Sequence, residues 1–100
     1  MKAAIRPDKP AEGSAGLAEA QALVAAGDRQ AAERLYRRLI AADASLAPAL
    51  HGLGALCFEA GRRDEAISLL ERAARAAPGD PALLAALANG YAAVGRFVDA

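Results

Sequence analysis

The stretch APALHGLGALCFEAGRRDEAISLLERAARAAPGD, residues 47–80, decides the fold, because it reads as two amphipathic helices joined by a short turn. Leu50, Leu53 and Cys57 recur at spacings of three and four and so share one helical face. Gly61 supplies the left-handed conformation that ends such a helix, and Asp64 and Glu65 then place negative charge at the amino end of the next. Ile67, Leu70 and Ala74 carry an apolar stripe along that second helix until Pro78 stops it. Asp80-Pro81 begins another helix with a capping carboxylate, followed by a residue whose missing N–H costs nothing in a first turn. Pro48 has the same use at the start of the stretch.

Working outward, the landmarks return every 34 residues. Gly27, Gly61 and Gly95 form one column, Ala32, Ala66 and Ala100 a second, Ala20, Gly54 and Ala88 a third, and Leu53 and Leu87 a fourth. With nine glycines in the chain, two more at preset positions coincide by chance about once in a hundred, so the period is an internal repeat. It divides the chain into a degenerate unit over residues 13–46, a well-formed unit over 47–80, and a third over 81–100 that is cut off early in its second helix. Residues 1–12 hold two prolines, mixed charge and little beyond Ile5 to bury, which predicts a disordered lead-in.

A 34-residue period, two helices per period, small residues where the helices meet and a closing proline resemble the tetratricopeptide repeat family. In the middle unit the match is carried by Leu50, Leu53, Gly54, Cys57, Gly61, Ala66, Leu70, Ala73 and Pro78. In the third unit it is carried by Leu84, Leu87, Ala88, Tyr91, Gly95 and Ala100. The first unit keeps Ala20, Leu23, Gly27, Ala32, Tyr36 and Leu39 in register, with Gly16 where a large residue is usual and Ala44 in place of the proline. The resemblance implies an all-α, α-α superhelix of about two and a half helix-turn-helix repeats. Gly54, Ala66 and Ala88 would be the small residues that let paired helices approach.

By the same resemblance, the first helices line a concave surface and the second helices form the convex one. The groove is then drawn from Leu17, Gln21 and Val24, from His51, Ala55 and Phe58, and from Ala85, Asn89 and Ala92. Members that grip acidic chaperone tails use Lys, Arg and Asn in such columns, where this chain has Leu17, Gln21, Gly52, Ala82 and Ala86. The expected partner is therefore an apolar helix or extended segment, anchored by Phe58 and Leu17, with Asn89 and Gln21 offering side-chain amides to its backbone. Two functions are consistent with this groove: a protein-interaction scaffold, or the amino-terminal substrate-recruiting module of a larger bacterial sulfotransferase or sugar transferase.

Composition narrows the remaining classes. Twelve basic and twelve acidic residues cancel, and the basic ones form no run, which argues against nucleic acid or anionic membrane as partners. The start has no apolar stretch of signal-peptide type, and no span-length apolar run follows, so a cytoplasmic protein is expected. Abundant Ala and Arg give the chain a bacterial cast. His51 and Cys57, each the sole residue of its type, offer neither a metal-ligand set nor a nucleophile-base constellation, and Gly52-Leu53-Gly54 lacks the rest of a phosphate loop. No catalytic residue, metal or cofactor is expected in this segment.

The outer helices carry Arg34, Arg37, Arg38, Arg72 and Arg75, read as a solvated face, with Glu33–Arg37 and Glu71–Arg75 at ion-pair spacing. Tyr36 and Tyr91 read as packing residues. In the third unit Leu83, Leu84, Leu87, Tyr91 and Val94 would have a covering helix on one side only. Self-association or fraying through the 83–98 surface, and a fragment of a longer array, are the corresponding expectations.

Overall fold

A computed structural model of the chain describes residues 8–95. Five helices follow one another: α1 (Asp8–Ala25), α2 (Arg29–Ala42), α3 (Ala47–Glu59), α4 (Arg63–Ala76) and α5 (Pro81–Val94), with no strand among the described residues. The 34-residue column of glycines is a column of identical bends. Gly27, Gly61 and Gly95 have φ of 89°, 86° and 75°, a region closed to most side-chain-bearing residues. At the first bend the Asp28 N–H donates to Leu23 O at 2.9 Å; at the second the Arg62 N–H donates to Cys57 O at 2.8 Å. Both are the six-to-one bond that closes a helix on a left-handed glycine.

Helix starts follow the capping chemistry. Asp28 accepts from the Ala31 N–H at 3.2 Å and Asp80 from the Ala82 N–H at 2.9 Å. Pro48 and Pro81 lie in the first turns of α3 and α5. One expectation is corrected here: helix α1 begins at Asp8, so residues 8–12 of the predicted lead-in are helical, while 1–7 lie outside the described residues. Pro10 permits this because it is the third residue of α1, where its absent N–H would have had no intrahelical acceptor.

Each helix packs on its neighbour in sequence, and α1 also touches α3, which gives an elongated body of 57 × 30 × 19 Å. Helix α3 lies at the centre, with Leu50, Leu53 and Cys57 at most 1 % exposed. Its approach to α4 depends on Gly54, where a Cβ would sit 3.1 Å from Leu70 Cγ and 3.4 Å from the Ala66 carbonyl oxygen. Ala66 is fully buried at that crossing. Ala88, expected in the same role one repeat later, is instead exposed, because no helix packs over it among the described residues. Similarly Leu84 is 50 % exposed, whereas Leu50, one period earlier, is completely covered. Leu83 turns inward and is buried.

On the outer face, Glu33 binds Arg37 at 2.8 Å and also receives Arg62 at 2.8 Å, while Arg37 reaches Glu65 at 2.8 Å. This network ties α2 to the beginning of α4. The pair expected between Glu71 and Arg75 is not formed, because Glu71 accepts a 2.5 Å hydrogen bond from the Tyr91 hydroxyl of α5. A short bond to a partly buried phenol competes well with a solvent-exposed guanidinium.

Candidate functional site

Between α3 and α5 lies an open cavity of about 350 Å³ with Leu70 of α4 at its base. Helix α3 contributes His51, Ala55, Phe58 and Glu59, and α5 contributes Ala86, Asn89, Gly90 and Ala93. The cavity follows from side-chain sizes in the repeat. Leu56 is buried on α3; 34 residues later the same register holds Gly90, which offers no side chain. Phe58 takes part of the space, its Cζ lying only 2.8 Å from where a Gly90 Cβ would be. Ala55, Ala86 and Ala93 keep the remaining walls low.

The walls carry little charge. Helices α3 and α5 contain no Lys or Arg, and Glu59 is the one charged residue of the lining. Its Oε1 accepts from Arg29 Nε at 2.6 Å, with both side chains more than half exposed. Behind the cavity wall, Cys57 is fully buried, and burial raises its thiol pKa, which keeps it protonated and unreactive. Among the described residues no three His, Cys, Asp or Glu side chains converge as a metal site.

The profile of the tetratricopeptide repeat matches residues 23–90 and, in an overlapping register, 58–100. The chain belongs to the tetratricopeptide repeat family. It is also 45 % identical over 83 residues to cellulose synthase operon protein C of Xanthomonas axonopodis pv. citri (strain 306). That match covers 80 % of this chain and 5 % of the Xanthomonas protein. No described helix of this tetratricopeptide array is long and apolar enough to cross a membrane.

Of the nine groove residues expected from the repeat register, the structure brings His51, Ala55, Phe58 and Asn89 into one cavity. Leu17 and Val24 pack partly buried against the core, and Gln21 is exposed. Ala85 and Ala92 are exposed and lie outside the cavity lining. The difference is geometric. A groove between successive first helices is walled by the forward side of one and the backward side of the next, so the α5 wall of Ala86, Asn89, Gly90 and Ala93 is turned by about one residue from the expected Ala85, Asn89 and Ala92. Ala86, Gly90 and Ala93 were therefore missed, as were Leu70 below and Glu59 at the end. The signal that finds them is the size difference between Leu56 and Gly90 within a single column.

Proposed function

We propose that this tetratricopeptide array is a protein-interaction scaffold that receives an apolar helix or extended segment of a partner protein in the groove between α3 and α5. The carrying observation is an apolar cavity with a half-buried aromatic, Phe58, at its edge and small residues on both walls. A partner's large side chain gains burial there worth roughly 1.5–3 kcal/mol, while the low walls let its backbone come close. Val24, Leu17 and Gln21 extend the same surface onto α1 as weaker contacts. The repeat fold is itself non-catalytic, and activity belongs to whatever it recruits.

The test is selection of peptides against the folded domain, followed by amide chemical-shift mapping. Shifts concentrated at 51–59 and 86–93, abolished by Ala55→Arg, are expected. Micromolar binding of an acidic chaperone-tail peptide, or shifts confined to the outer faces of α2 and α4, would overturn the reading.

The likeness to cellulose synthase operon protein C supports a second reading, in which the repeats are a recruiting module of a much longer bacterial protein concerned with polysaccharide synthesis or another transfer reaction. Deleting residues 13–100 from the full-length protein would then change substrate choice and leave the transfer step itself intact. Loss of neither excludes that reading. A cytoplasmic site of action belongs to the scaffold reading and is checked by fractionation.

A further inference from the structure

The α3/α5 groove has a polarity, and it comes from one side chain. Glu59 belongs to the lining of two neighbouring cavities: the apolar groove, and a polar one bounded by Arg29, Gln30, Glu33, Leu56, Glu59, Ala60 and Arg62. Its carboxylate thus stands on the ridge between them. Arg29 engages only Oε1, through a single Nε contact at 2.6 Å. A carboxylate has acceptor capacity for several donors, so Oε2 retains room for a second cation. Among residues 16–95 the other cations sit on α2, α4 and the turn before α4, Arg37 and Arg62 being held by Glu33 and Glu65. The α3 lining runs from Glu59 at one end to His51 at the other, and neither His51 nor the Asn89 amide of α5 is a carboxylate.

We infer that the groove's occupant is a peptide segment with a large apolar side chain that fills the cavity beside Phe58 and an Arg or Lys about one turn away that pairs with Glu59. This deepens the scaffold reading and rests on it. The apolar anchor follows from the cavity itself, walled by Ala55 and Phe58 on one side and by Ala86 and Ala93 on the other, with Leu70 below. The cation follows from charge complementarity: Glu59 is the one charged residue of the groove lining, and Arg29, which it binds, lies outside that lining. Orientation is also determined, since reversing the peptide would carry its cation to the His51 end.

The experiment uses one short amphipathic helical peptide with Leu and Phe anchors in three versions, carrying Arg, Gln or Glu at the end that meets Glu59, each titrated against the whole chain by fluorescence anisotropy. The expected order of affinity is Arg, then Gln, then Glu, with steps of roughly two- to fivefold, the size of an exposed ion pair. Glu59→Lys reverses that order. Gly90→Leu, checked by circular dichroism for retained helix, displaces Phe58 into the cavity and weakens all three peptides at least about tenfold. A spin label beside the peptide's Arg gives an independent readout in the unaltered chain, broadening the amides near Glu59 ahead of those near His51. If all three versions bind equally and Gly90→Leu still blocks them, the polarity is wrong and the groove stands. If none binds, both the polarity and the groove reading fall.

Discussion

At the scale of single residues, Glu33 shows most clearly what the outer network does. The guanidinium of Arg62 first, then that of Arg37, holds its carboxyl at a pKa of about 2, below the ordinary 4.5. A group whose folded pKa is depressed adds stability that is fully present above its unfolded pKa and disappears as pH falls toward the folded one. The contribution is therefore complete at pH 6 and is lost between about pH 5 and pH 2. The side chain of Glu33 is 23 % exposed and those of its arginine partners 40 % or more; solvent screening then reduces the effect to about 1 kcal/mol, well below the unscreened linkage value. Urea midpoints measured from pH 6 down to pH 2.5 should fall less steeply for Glu33→Gln than for the parent, and identical slopes would contradict the network. Half of this site was legible in the sequence. Glu33 and Arg37 declare themselves by their spacing along one helix, whereas Arg62 lies in the turn before α4 and reaches Glu33 only once the repeats stack.

At the scale of the element, the helix boundaries were the most readable feature, because each depends on a few adjacent residues. Asp28 and Asp80 cap, Pro48 and Pro81 open, and three glycines close. The exception is instructive. Arg62 occupies the cap position of α4, equivalent to Asp28 of α2, and makes no side-chain cap bond there. Its guanidinium is committed to Glu33 and Glu65, so the start of α4 is held by ion pairing across repeats and by its first-turn acids Asp64 and Glu65. Residues 8–12 are helical where their composition predicts disorder, because position outweighs composition there. Two prolines suggest disorder, yet Pro10 lies where a helix tolerates it. The turn makes a quantitative prediction. A Cβ at Gly61 would meet nothing within 4 Å, so Gly61→Ala tests backbone strain alone. At φ of 86° that strain should lower stability by about 1–2 kcal/mol, and a urea midpoint unchanged from the parent would mean that the bend relaxes to another conformation.

At the scale of the whole molecule, a stack of repeats makes residue value depend on place in the stack. The groove itself illustrates the limit of sequence reading: columns identified the right helices, but the α5 wall is turned by about one residue from the expected positions, and only stacking shows which sides face each other. The same reasoning gives a prediction from Leu50 and Leu84, which share a column 34 residues apart and carry identical side chains. Leu50 is fully buried on α3, a helix packed by both α2 and α4, while Leu84 keeps 50 % of its surface exposed. Leu50→Ala removes buried methyl groups and leaves a cavity in the central helix, a loss of about 2–5 kcal/mol. Leu84→Ala removes groups that are already half in solvent and leaves no enclosed cavity, so its loss should stay near or below about 1 kcal/mol. Local propensity cannot explain such a gap, since the change is Leu to Ala near the start of a helix in both cases. Hydrogen exchange adds a spatial readout. In a quasi-linear array, openings run from the weakly covered end, so α5 amides should exchange through a partial opening of lower free energy than the one that exposes α3. Leu84→Ala should then accelerate exchange in α5 and leave α3 protection almost unchanged, whereas Leu50→Ala should lower protection throughout. Equal losses from the two substitutions, or uniform exchange across α3 and α5, would mean that the chain unfolds as one unit with Leu84 covered in solution.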